Sequence, residues 1–143
     1  MTHFHENGRL LFLVSRAHHN LADRVFGQIG LSRGQAPVLF ELRHQDGLNQ
    51  STLAEKMELT QATMTNLLHR MEKSGLINRM RDSKDNRYTR VYLTPHGKEI
   101  LDRAFDLAYQ MEDISFAGFS NEEQIIIQSY LERLHANMVQ GQK

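Results

Sequence analysis

The sequence predicts a mainly α-helical protein with one small β-hairpin, on three observations. Apolar residues recur at three- and four-residue steps through most of the chain. Its two prolines, Pro37 and Pro95, leave long stretches free to be helical. Only residues 88–93 change to a period of two. The 143 residues suit one domain, 1–143, large enough for a core but short for two.

Leu10, Leu13, Val14, Ala17, Leu21 and Val25 share one face of a helix expected from about residue 8 to 28, closed by Gly27 and Gly30. Ser32 with Gln35 has the spacing of a capping box, so a second helix is expected over about 33–45, with Pro37 in its first turns. Two short helices follow, Gln50 to Lys56 and Gln61 to Lys73, the latter with Thr60 as N-cap. Gly75 is expected to close it in the left-handed conformation.

In "YTRVYL", Thr89, Val91 and Leu93 face one way and Tyr88, Arg90 and Tyr92 the other. With Ile77 to Met80 this forms a two-stranded hairpin around the polar loop Asp82 to Asn86. Thr94 as N-cap and Pro95 at the first position open a fifth helix, with Ile100, Ala104, Leu107, Met111 and Ile114 as its stripe. Ser120 and Glu123 form another capping pattern before a last helix striped by Ile127, Leu131, Leu134 and Met138. The terminal helices, about 8–28 and 95–140, carry more apolar surface than the middle, 33–93, can cover. They are expected to pack on a second copy of the chain.

Two short helices joined by a three-residue turn make a helix-turn-helix, whose second helix lies in the DNA major groove. Its inner face is expected to be Met64, Leu67, Leu68 and Met71. Its outer face would be Gln61, Ala62, Thr63, Thr65, Asn66, His69, Arg70 and Lys73, with no acid until Glu72. Gln61 and Asn66 have the donor and acceptor that read adenine. Thr63 and Thr65 suit phosphate oxygens or a thymine methyl, and Arg70 and Lys73 suit phosphates.

The hairpin strengthens that reading. Seventeen Lys/Arg balance seventeen Asp/Glu over the chain, so a polyanion must be met by a local patch. Arg79, Arg81, Lys84, Arg87 and Arg90 form one, opposed by Asp82 and Asp85. A β-wing can reach the minor groove, where the potential is most negative. Arg87 is the candidate for insertion there, and Asp85 can pair with it bidentately and fix its direction. Arg81, Lys84 and Arg90 would supply phosphate contacts.

These features, "LAEKMELTQATMTNLLHRMEKSGLINR" (53–79) and "DNRYTRVYLTPHG" (85–97) with the flanking helices in order, resemble the MarR family of winged helix-turn-helix transcriptional regulators. The resemblance covers nearly the whole chain. Its most specific part is Asp85-x-Arg87 followed by Leu93, Thr94 and Gly97. It implies a homodimer whose terminal helices form the dimerisation domain. The dimer would bind a palindromic operator in double-stranded DNA, often as a repressor released by a small phenolic or other anionic ligand. Thr60 would stand with the DNA-facing residues. Asn66 stands where family members often carry an arginine, which implies a different base preference.

Other classes are poorly supported. With no cysteine, disulfides, thiolate metal sites, thiol nucleophiles and a thiol peroxide sensor are excluded, and the chain reads as cytoplasmic. No apolar run of about 18 residues predicts a membrane span, and no signal peptide is expected. Gly30 to Gly34, "GLSRG", matches a nucleophile elbow, but a helix precedes it where a strand is required, so Ser32 is expected to cap instead. Among eight histidines, His3/His5, His18/His19 and Glu41/His44 are the possible metal ligands. Neighbouring histidines on a helix point about 100° apart, and no third ligand is offered except His96. No metal, cofactor or catalysis is expected. For an anionic effector in an apolar crevice, Arg16, His18 and His19 are the available candidates.

Overall fold

The computed structural model describes residues 2–143, with side chains from His5 onward. The elements run α1 (Thr2–Gly27), α2 (Gln35–His44), β1 (Leu48–Asn49), α3 (Gln50–Lys56), α4 (Gln61–Lys73), β2 (Ile77–Arg81), β3 (Thr89–Leu93), α5 (Pro95–Ser115) and α6 (Asn121–Gly141). They fall into two compact units, Met1–Met111 and Glu112–Lys143.

In the first unit α1 begins earlier than its apolar stripe predicts. Residues 2–7 contain no breaker, and an Arg9–Glu6 pair at 3.0 Å links neighbouring turns. The cap of α2 also differs. Gly34, not Ser32, is the N-cap and makes no side-chain cap. Instead the buried Gln35 accepts from the Ser32 backbone N–H at 3.1 Å, so only the returning half of the capping box forms.

The expected two-stranded hairpin is part of a three-stranded antiparallel sheet of order β1-β3-β2. β3 is central: Val91 lies opposite both Leu48 and Arg79, and Ile77 pairs with Leu93. Val91 and Ile77 are fully buried, joining Leu39, Leu42, Leu53, Leu68 and Met71 in the core. The sheet therefore seals one side of the helix-turn-helix, as apolar burial requires.

The start of α5 is bound to the turn that follows α4. Gly75 is left-handed (φ 78°), and Leu76 returns its N–H to the Met71 carbonyl. Thr94 Oγ1 donates to the Gly75 carbonyl at 2.5 Å and accepts from the Gly97 N–H at 2.9 Å. The Thr94 N–H in turn donates to the Leu76 carbonyl. Gly97 then passes so close to Leu76 that a Cβ on it would lie 2.0 Å from that carbonyl oxygen.

The second unit holds the end of α5, a turn through left-handed Gly118, and α6. Ser120 caps α6 by accepting the Glu123 N–H at 3.1 Å. No residue of α6 is buried.

Gly97→Ala is expected to lower stability by about 1–3 kcal/mol or more, the usual cost of overpacking, because the obstacle is backbone and cannot rotate away. Equilibrium urea unfolding checks it, and an unchanged midpoint would remove this junction as a constraint.

Candidate nucleic-acid interface

Helix α4 has two distinct faces. Met64, Leu67, Leu68 and Met71 are buried at 0–3% exposure, whereas Gln61, Ala62, Thr63, Thr65, Asn66, His69, Arg70 and Lys73 are all exposed. Each buried side chain is worth about 1.5–3 kcal/mol, so the helix cannot rotate to exchange faces. Thr60 caps it by accepting the Thr63 N–H at 3.1 Å, and its hydroxyl donates to Thr63 Oγ1 at 2.8 Å. Gln61, Asn66, Arg70 and Lys73 have no side-chain hydrogen-bond partner among the described residues, so their polar groups are available outward.

The only acid of α4, Glu72, is spent internally. It accepts from the Arg79 backbone N–H at 2.8 Å and from Arg79 Nη2 at 3.2 Å, tying the helix end to β2. The Arg79 N–H, and less so its guanidinium, hold the Glu72 carboxyl below the ordinary carboxylate value against a desolvation that raises it.

The wing loop is built on two aspartates. Asp82 accepts the Lys84 N–H at 2.7 Å and the Asp85 N–H at 3.2 Å, a local turn typical of Asp, and pairs with Arg90 Nε at 2.6 Å. Asp85 grips Arg87 bidentately, Nε to Oδ1 at 3.0 Å and Nη2 to Oδ2 at 2.8 Å, and also accepts its backbone N–H at 3.1 Å. The Arg87 side chain is nevertheless 82% exposed, so the clamp directs it without covering it. Arg81 Nη1 donates to the Asn86 carbonyl across the loop at 2.6 Å, and Lys84 is exposed.

Arg90 is also a link within the fold. Besides Asp82, it donates to the Gly47 carbonyl at 3.0 Å, so its guanidinium joins the hairpin to the β1 segment. Arg79 is likewise a structural link. Three contributors were missed by sequence reasoning. Asp46 accepts the Leu93 N–H at 2.9 Å, Gln50 Nε2 donates to Thr65 Oγ1 at 2.9 Å, and Asp82 organises the loop. For Asp82 the Asp-x-Lys turn pattern was a usable signal. For Asp46 and Gln50, whose partners lie 47 and 15 residues away, there was none.

Arg16, His18 and His19 are all exposed on α1, because the stripe is covered only from Leu21 onward. An open cavity of about 300 Å³ in the first unit is lined by Gln28, Ile29, Arg103, Asp106 and Leu107. Among the described residues no three His, Asp or Glu side chains converge to hold a metal, and Glu41 faces Lys56 at 3.9 Å. The His3 side chain lies outside the described residues. No described helix is long and apolar enough to cross a membrane.

Both wing carboxyls sit below their ordinary value of 3.8. The cause is first the Arg87 guanidinium hydrogen bonds for Asp85, and first the Lys84 backbone N–H for Asp82. A depressed folded pKa means that the stabilising contribution is complete above the ordinary value and is lost as pH falls through the depressed one. The loop is therefore expected to hold its form from neutrality down to about pH 4 and to loosen only below it. Carboxyl carbon NMR titration should give both midpoints under 3.8; midpoints at or above that value would show the clamp absent in solution.

Comparison with known proteins places this geometry. Residues 31–89 match the model of the MarR family. The transcriptional regulator HosA of Escherichia coli O157:H7 is 32% identical over 111 residues, covering 78% of this chain and 77% of HosA. The MepR–DNA complex of S. aureus shares 26% identity with a TM-score of 0.84, over 91% of this chain and 96% of that one. The PcaV regulator of Streptomyces coelicolor, solved with its natural ligand, shares 25% identity with a TM-score of 0.80, over 90% of this chain and 91% of that one. The winged helix-turn-helix and these relatives give one conclusion: the chain belongs to the MarR family of transcriptional regulators and is not an enzyme.

Proposed function

We propose that the protein is a cytoplasmic, homodimeric, sequence-specific DNA-binding repressor, relieved by a small anionic or phenolic ligand. The carrying observation is the disposition of charge between residues 61 and 90. Seven Lys/Arg stand there against three acids, Glu72, Asp82 and Asp85, and all three acids are bound to internal partners. The outward field is left to Arg70, Lys73, Arg81, Lys84 and Arg87, as a surface that meets phosphates needs. The solved DNA complex of the similar MepR supports this reading, and the ligand complex of PcaV supports a small-molecule effector.

Dimerisation is supported by unburied apolar surface. α6 exposes Ile125, Ile126, Tyr130, Leu131, Leu134 and Met138, and α1 exposes Leu10 to Val14. Faces of this kind usually mark protein interfaces, and a second copy with two-fold symmetry matches a palindromic operator. The two α4 helices then enter successive major grooves about 34 Å apart, with the wings in the flanking minor grooves. A ligand releases such a dimer to the extent that it binds better to a shape in which that separation is wrong.

Selection from a randomised duplex library, followed by salt titration of the winners, tests the function. An enriched palindrome whose affinity falls steeply with salt is expected. Weak binding to all duplexes alike would point instead to an acidic protein partner for the wing. On the selected operator, Arg87→Ala should weaken binding by about 1–3 kcal/mol, and unchanged affinity at moderate salt would take Arg87 out of the interface. Sedimentation should give twice the chain mass for the wild type and a shift toward monomer for Leu134→Glu. A monomeric wild type at micromolar concentration would defeat the dimer.

A further inference from the structure

Two threonines of α4 are chemically alike in sequence but differ in what their hydroxyls have left to offer. Thr65 Oγ1 donates to the Gln61 carbonyl at 2.9 Å and accepts from Gln50 Nε2 at 2.9 Å. The directions are forced. A carbonyl can only accept, so the single hydroxyl proton of Thr65 points to Gln61, and whatever approaches Oγ1 from Gln50 must be its N–H. Thr63 differs: its Oγ1 accepts from the Thr60 hydroxyl, which leaves its own proton free to donate outward.

Thr65 is exposed, yet it has no proton for a phosphate oxygen or a base acceptor. What the side chain can still present to a base acceptor or to thymine is its methyl group, beside one remaining lone pair that can meet only a donor. Gln50, the first residue of α3, holds it in this state from outside the recognition helix. We propose that Thr65 is a specificity-determining residue that reads a thymine 5-methyl group by apolar contact, with Gln50 as its positioning residue. The inference deepens the DNA-reading function proposed above and rests on it. In the major groove the 5-methyl is the one feature of thymine that only an apolar group can recognise. Thr63, by contrast, keeps the hydroxyl donor suited to the backbone. The two neighbouring threonines thus divide between base reading and phosphate holding.

The test uses the full-length protein and the operator selected by the wild type, in which each thymine is replaced in turn by deoxyuridine. Replacement at one position per half-site should weaken wild-type binding about fourfold, the factor expected from one buried methyl. Thr65→Ser, which keeps the hydroxyl and loses the methyl, should bind the thymine operator about fourfold more weakly per half-site and be indifferent to deoxyuridine at that position. Thr65→Val, which keeps the methyl and loses the hydroxyl, should retain the thymine preference. Gln50→Ala should broaden the preference at that same position and leave the rest of the profile unchanged, which a general loss of stability would not do.

If every thymine can be replaced without loss, or if Thr65→Ser keeps the preference that Thr65→Val loses, this proposal is overturned while DNA reading stands. If the wild type enriches no sequence at all, both fall. The deoxyuridine series uses only the wild-type protein, so it can overturn the proposal even if a variant misfolds.

Discussion

The position of every outward-facing group in the winged helix depends on one close approach, that of Gly97 to the Leu76 carbonyl. The turn leaving α4 and the first turn of α5 meet there without room for a side chain, and Thr94 bonds to both. Between these two points the chain makes only the hairpin, and Ile77 pairing with Leu93 closes its base. The wing is thus carried on the recognition helix, not appended to it. Interiors pack too densely for such a contact to slide, so the wing and the face of α4 keep a set relation.

Charge within that frame serves direction more than stability. Ion pairs open to solvent contribute about 0–1 kcal/mol each, so Asp85–Arg87, with its arginine 82% exposed, and the part-buried Asp82–Arg90 act as local links within the loop. They explain how a flexible guanidinium is aimed. An arginine side chain carries about 2 kcal/mol of rotamer entropy, and an arginine already held by a carboxylate has less to lose on meeting DNA. An acid in a loop rich in lysine and arginine looks electrostatically wrong until its geometry is seen. Two such acids, each satisfied by the loop's own N–H groups, leave the loop ordered and its outward field positive.

The long helices pose the complementary problem. The winged helix closes its own core, whereas α6 buries none of its residues and much of α1 is exposed. In the proposed dimer that apolar surface is buried between copies, and the distance between the two recognition helices becomes a property of the helical part. A ligand acting on that part could then govern DNA binding without touching a DNA-contacting residue.

The sequence by itself determined what depends on neighbours a few residues apart. The two faces of α4 follow from a 3.6-residue period. Thr60, Thr94 and Ser120 cap the next turn in each case, and Asp85 reaches Arg87 across two positions. Where local patterns competed, the tertiary structure decided: Gly34 is the N-cap of α2, while the buried Gln35 holds the Ser32 N–H. It alone decided the third strand, since Leu48 and Asn49 are too short a pair to show a period and need β3 to become a strand. It alone set Arg90 against the Gly47 carbonyl, 43 residues away, and Gln50 against Thr65. Hydrogen bonds within a turn are fixed by backbone geometry, whereas bonds between distant segments exist only once core packing has brought those segments together.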